Sequence, residues 1–203
     1  MINQKKAVRQ LNALKRAGKQ LRLAAEWRRP WQSLISTILS ARTRDEKTIE
    51  VSNALYRKYK SVRALAEADL RDVGRIIRGV NYYRTKAKNI IACAGKIARE
   101  HGGAVPRDFD KLVELPGVGR KTANVFLAHQ GGAHIGVDTH LGYVSRKMGW
   151  TKHDKPHLVE EDLKKLFPRR YWRKLNYIVV RFGQTYRSRR KKDKMIRKIR
   201  QIG

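Results

Sequence analysis

The chain has 203 residues, enough for one large domain or two small ones with a real core. Its 48 Lys and Arg against 17 Asp and Glu give a formal charge of +31, while 41% hydrophobic content argues against a disordered basic tail. That balance suits a folded protein binding a polyanion such as DNA or RNA, less tightly as salt rises; the alternative is a generally basic surface with no dedicated partner.

The first twenty-five residues carry no acid, and Ile2, Val8, Leu11 and Leu14 among lysines and arginines predict an amphipathic basic helix. The segment is rich in lysine and lacks serine, which reads against an organelle transit peptide, and it has no apolar signal core. With no run of about eighteen apolar residues anywhere, no membrane partner is expected. The expected location is intracellular, cytoplasm and nucleoid in a prokaryote. After Pro30, Trp31, Leu34, Ile35, Ile38 and Leu39 repeat at helical spacing and predict a buried helix. Thr43-Arg44-Asp45-Glu46 has the capping-box pattern, so a second helix should start there and run through Ile49 and Leu55, with Asp45 as an acid favoured by the helix dipole.

Leu65, Leu70, Val73, Ile76 and Ile77 read as one short helical face stopped by Gly79. Across the loop Gly79–Tyr83, the residues Ala87, Ile90, Ile91, Ala94 and Ile97 make the next helix. Cys93 is a small core residue there; as the one cysteine it excludes an intrachain disulfide. Gly102-Gly103-Ala104-Val105-Pro106 ends that helix. In Leu115-Pro116-Gly117-Val118-Gly119, Pro116 fixes φ while Gly117 and Gly119 are both able to take positive φ, which makes a tight turn. A helix follows from Arg120, so the backbone N–H groups of hairpin and helix start could point at a phosphate, with Lys121 in the first turn. Gly131-Gly132 marks another turn, after which comes Val137-Asp138-Thr139-His140.

Asp154 and Pro156 fit a helix start, Leu158, Leu163, Leu166 and Phe167 give it apolar contacts, and Trp172, Leu175, Ile178, Val179 and Phe182 make a further core face. From Arg187 to Arg200 there are nine Lys or Arg and one acid, Asp193, with Met195, Ile196, Ile199 and Ile202 spaced for one apolar face of a terminal helix. Helix follows helix with no alternating strand pattern, so the expected class is all-α in two parts.

The run LPGVGRKTANV followed by VDTH resembles the endonuclease III branch of the helix-hairpin-helix DNA glycosylase superfamily, and the order of segments from Trp31 to Tyr186 is similar throughout. A bare PGVG hairpin is only moderately specific, since many polymerases, ligases and nucleases use one purely to hold a DNA backbone; the lysine directly after it and Asp138 seventeen residues on carry the likeness to this family. The resemblance implies two helical domains with the active site in the cleft between them. Residues 23–132 would form a central helical barrel with the hairpin, and residues 1–22 plus 133–203 a second domain. It implies a monomer acting on duplex DNA with damaged bases or abasic sites, with Lys121 and Asp138 catalytic.

Leu115, Gly117, Val118, Gly119 and Arg120 would hold the DNA strand, and a monovalent cation at the hairpin is compatible with that. Arg42 stands where the family commonly has a glutamine that enters the gap left by an extruded nucleotide, and Tyr82 near where it often has a leucine wedge. His140 would hydrogen-bond within the cleft. Each assignment has a plainer alternative: Lys121 and Arg42 as phosphate contacts, Tyr82 as a half-buried aromatic, Asp138 as a helix N-cap, His140 as a packed or capping histidine. A zinc site lacks the companions it needs, so no metal residues are expected.

A neutral amine at Lys121 could break the bond between a damaged base and C1′ of its deoxyribose. Ring opening then gives a Schiff base that permits β-elimination of the 3′ phosphate, so one lysine links base excision to strand nicking. Lysine amines are mostly protonated at neutral pH; Arg120 and a nearby acid would act on that equilibrium in opposite directions. Asp138 would stabilise an oxocarbenium ion and assist proton transfer.

The largest departure is at the C-terminus. Enzymes of this branch usually end with four cysteines binding an iron–sulfur cluster, and the first of these would fall at Arg187. No cofactor is therefore expected, and the basic terminal helix could supply phosphate contacts in its place. The leading expectation is a bifunctional glycosylase and abasic-site lyase that removes oxidised pyrimidines. The alternatives are a monofunctional mismatch or uracil/thymine glycosylase and a non-catalytic DNA-binding protein.

Overall fold

Capping side chains and glycines divide the sequence into twelve α-helices, with no strand among the described residues, 2–202 of the computed structural model. In chain order these are α1 (Gln4–Ala17), α2 (Pro30–Leu39), α3 (Asp45–Lys58), α4 (Val62–Ala66), α5 (Leu70–Ile76) and α6 (Tyr83–Glu100). There follow α7 (Phe109–Val113), α8 (Arg120–His129), α9 (Thr139–Met148), α10 (Pro156–Leu166), α11 (Arg169–Thr185) and α12 (Arg189–Arg200). The chain divides into two compact units, one of Arg22–Gln130 and one of Met1–Leu21 with Gly131–Gly203.

The unit Arg22–Gln130 is built around α2, which contacts α3, α6 and α8. Pro30 opens α2 at a position where a missing N–H costs nothing, and Trp31, Leu34, Ile35, Ile38 and Leu39 are all buried. At roughly 1.5–3 kcal/mol for each fully buried large side chain, this face contributes substantially to the unit's stability. Tyr56 fits edge-on against both Trp27 and Trp31, and its hydroxyl donates to the Gln32 carbonyl at 2.8 Å.

Two sequence expectations change here. The stretch from Leu65 to Ile77 is two helices rather than one face, because Ser61 and Asp69 each cap a new start, and Leu70 is left 42% exposed. Thr43 does not cap α3; the N-cap is Arg44 without a side-chain bond, and the Asp45 carboxylate instead accepts from the Ala24 N–H at 3.3 Å.

In the other unit α11 packs on α1, α9 and α10, with Leu175, Ile178, Val179 and Phe182 buried. Gly18 at the end of α1 meets the backbone of Phe182, where an added Cβ would lie 3.1 Å from the amide nitrogen. Gln10 is buried but satisfied, accepting from Trp150 Nε1 at 2.8 Å and donating to the Arg200 carbonyl at 3.1 Å. The terminal helix α12 is docked on α9 and α1 through buried Ile196 and Ile199. The Tyr143 hydroxyl donates to Asp193, the one acid of the Arg187–Arg200 stretch. Asp154 lies outside the start of α10, paired with Arg146, and Lys155 is the N-cap.

Candidate functional site

The hairpin between α7 and α8 takes its shape from one glycine. Gly117 has φ +79, and a Cβ there would come within 3.0 Å of Asn89 Cβ on α6 and 3.3 Å of Ile38 Cγ2 on α2, so only glycine fits the turn to its neighbours. The turn closes with the Val118 N–H donating to the Leu115 carbonyl at 3.0 Å. Gly119, which could also have taken positive φ, is extended at φ −91 and serves as the N-cap of α8. Leu115 and Val118 are 2% and 5% exposed, so their side chains are anchors and a ligand at the hairpin meets backbone.

No side chain caps α8, and the first turn of any helix leaves N–H groups without partners inside the helix. With the dipole's positive end there as well, the hairpin has the makings of an anion site. Lys121 is the second residue of α8 and partly exposed; Arg120, the first, lies with its guanidinium 5.3 Å from the Phe109 ring centre.

Lys121 belongs to the unit Arg22–Gln130, and Asp138 and His140 to the other. Asp138 is the N-cap of α9, its Oδ1 accepting from the Leu141 N–H at 2.8 Å. The approach to it is fixed by buried Ile135 and Val137 and by Asn176 on α11, whose side-chain nitrogen donates to the Gly136 carbonyl at 2.7 Å. His140, the second residue of α9, rests on Gly183 of α11, where a Cβ would fall 2.2 Å from its Nδ1. The plainer alternatives for these two residues, a cap and a packed ring, therefore describe structural roles that both do have.

Arg42 and Tyr82 are brought together. They are the two non-glycine residues with positive φ among those described, +54 and +58. The Arg42 Nη1 donates to the Tyr82 hydroxyl at 3.1 Å, and Tyr82 is 62% exposed. Asn81 ties the two turns together: its side-chain nitrogen donates to the Arg42 carbonyl and its N–H to Thr43 Oγ1 at 3.2 Å. Under them lies Lys86 of α6, 6% exposed, with Nζ donating to the carbonyls of Leu39 and Ala41, each at 2.7 Å. Burial pulls its pKa down to about 8.

Sequence reasoning did not single out Asn81, Lys86 or Asn176. The available signal for Lys86 was its register, since residues 86, 90, 93 and 97 lie on one face of α6 and the other three are apolar and buried.

Comparison with known proteins settles the family. Residues 35–169 match the family described as HhH-GPD superfamily base excision DNA repair protein. The chain belongs to that superfamily. Within it, endonuclease III of Synechocystis sp. is 39% identical over 168 residues, covering 82% of this chain and 77% of that protein. Endonuclease III of Thermotoga maritima is 40% identical over 156 residues, 76% of this chain and 73% of that one. A solved structure of a trapped endonuclease III–DNA covalent intermediate, an estranged-adenine complex, superposes with a TM-score of 0.85 at 31% identity over 93% of this chain and 89% of that one.

An iron–sulfur cluster of the kind the resemblance implies does not fit this superfamily member. Four thiolates are needed, and the chain has Cys93 alone, buried, its thiol pushed up to about 12 by that burial. Among the described residues no cluster of three or more His, Cys, Asp or Glu could hold a metal, and no helix is long and apolar enough to cross a membrane.

Proposed function

We propose that the chain is a bifunctional DNA glycosylase and abasic-site lyase of base excision repair, acting on oxidised pyrimidines in duplex DNA, and that Lys121 and Asp138 carry the chemistry. The reading rests on one observation: an amine stands in the first turn of α8, directly behind a glycine-shaped hairpin suited to a DNA phosphate. The relative trapped as a covalent intermediate with DNA supports chemistry through such a bond.

The neutral Lys121 amine attacks C1′, a C1′–N bond forms, and the base departs with the electron pair of the glycosidic bond and takes up a proton. The nitrogen gives up one of its two protons and pushes its freed lone pair toward C1′ as the C1′–O4′ bond breaks; O4′ takes up a proton, and the remaining N–H stays on the resulting iminium, the protonated Schiff base. The iminium acidifies C2′; removal of that proton expels the 3′ phosphate and cuts the strand, and water releases the lysine. Asp138 stabilises positive charge at C1′ and moves the lysine or C2′ proton. Hairpin N–H groups and Arg120 hold a phosphate, and Arg42 and Tyr82 occupy the space of the extruded nucleotide. The outward cations of α12, among them Arg190, Lys191, Lys194 and Arg197, add phosphate contacts without a cluster. The enzyme works as a monomer, inside the cell where the DNA is.

Borohydride reduction in the presence of an abasic-site duplex tests this. Wild-type protein should form a covalent adduct and nick the strand, Lys121→Ala should do neither, and Asp138→Asn should lose most of the excision rate. Binding without adduct or nick in the wild type would leave the non-catalytic reading.

A further inference from the structure

Lys86 is costly to bury and is not used by the chemistry above. Its ammonium has three protons to donate and three acceptors: the Leu39 carbonyl, the Ala41 carbonyl and, at 3.2 Å, Thr43 Oγ1. All three lie in the 39–43 segment that ends α2 and turns into α3. No carboxylate is among those partners, so an ion pair does not offset the burial; the compensation is the hydrogen bonds themselves, one to the last carbonyl of α2 at the helix's negative end and one to the Ala41 carbonyl in the turn beyond it. The same turn carries Arg42 in a left-handed conformation that non-glycine residues avoid. Through Asn81 it also holds the turn that carries Tyr82 in the same conformation. Thr43 Oγ1 is shared, bonded both to Lys86 Nζ and to the Asn81 N–H.

We propose that Lys86 is a positioning residue for nucleotide extrusion: its ammonium locks the 39–43 turn and so holds Arg42 and Tyr82 in the two left-handed conformations from which they enter the duplex. The proposal rests on the reading of Arg42 and Tyr82 as the residues that fill the extruded nucleotide's place. Losing Lys86 therefore impairs the step that takes a stacked base out of the helix and spares the step at an abasic site, which has no base to unstack.

The test compares single-turnover rates on two duplexes, one with thymine glycol and one with a preformed abasic site. Lys86→Met, similar in length but without donors, should slow base excision about 10- to 100-fold, the range of a small misplacement, and leave abasic-site nicking within about threefold. The fluorescence rise of 2-aminopurine placed opposite the lesion should fall with it. Thr43→Val, which removes one acceptor and the Asn81 bond while keeping the amine, should show the same split more weakly, and it serves if Lys86→Met does not fold. Equal losses on both duplexes, or wild-type ratios in both variants, would overturn the proposal. Arg42→Ala and Tyr82→Ala separate the two levels. If they shift the ratio and the Lys86 and Thr43 variants do not, only the role of Lys86 is wrong. If they leave it unchanged, the reading of Arg42 and Tyr82 is wrong and the proposal goes with it.

Discussion

Two turns of the unit Arg22–Gln130 do related work by different physical means. The hairpin at residues 115–119 is shaped by its own backbone: a glycine at φ +79, a turn hydrogen bond, and a helix start with no side-chain cap. The 39–43 turn is shaped by side chains from elsewhere, a lysine 47 residues away from Leu39 and an asparagine 39 residues away from Arg42. The first stores its geometry in residue type, the second in long-range hydrogen bonds that hold an arginine where a glycine would sit more easily. A conformation of the first kind depends on one position, and one of the second kind on every donor that maintains it.

That difference can be tested position by position. The largest effect is expected at Gly117→Ala, where a positive φ and a 3.0 Å approach to Asn89 combine; about 2 kcal/mol of stability should be lost in denaturant titration, with weaker duplex binding. Asn81→Ala should cost about 1 kcal/mol by removing one bond to the Arg42 carbonyl, and should leave the hairpin untouched. Lys86 gives a pH signature. Its pKa of about 8 in the fold lies below the ordinary 10.5, so between these values the unfolded chain holds the extra proton. The penalty is full below pH 8 and is lost as pH rises toward 10.5, so wild type should gain stability relative to Lys86→Met over pH 8–10 in parallel melts. Gly119→Ala is the control at the small end: φ is −91 and open space surrounds an added Cβ, so stability should hold within about 0.5 kcal/mol. A loss there as large as at Gly117 would break the claim that one glycine sets the hairpin.

Much of the molecule was legible in the sequence for the reason the comparison gives. The apolar stripes of α2, α6 and α11, the hairpin before α8 and the buried face of α12 follow from spacing and from residues whose backbone preferences are strong. The ambiguity arose where polar side chains choose among partners. Thr43 reads as a cap and instead serves Asn81 and Lys86. Asp138 shows the limit of motif reading, since one carboxylate both caps α9 and is assigned to catalysis. A buried lysine on an otherwise apolar helix face was in view in the sequence, but its acceptors, carbonyls at the end of another helix, were not.

The central claim is that the Lys121 amine joins the DNA. Borohydride-reduced adduct with an abasic-site duplex, digested with protease and nuclease and sequenced by mass spectrometry, locates the modified amine among all the lysines of the chain. The sugar remnant should sit on Lys121; a remnant on any other lysine or on the N-terminal amine would contradict the account.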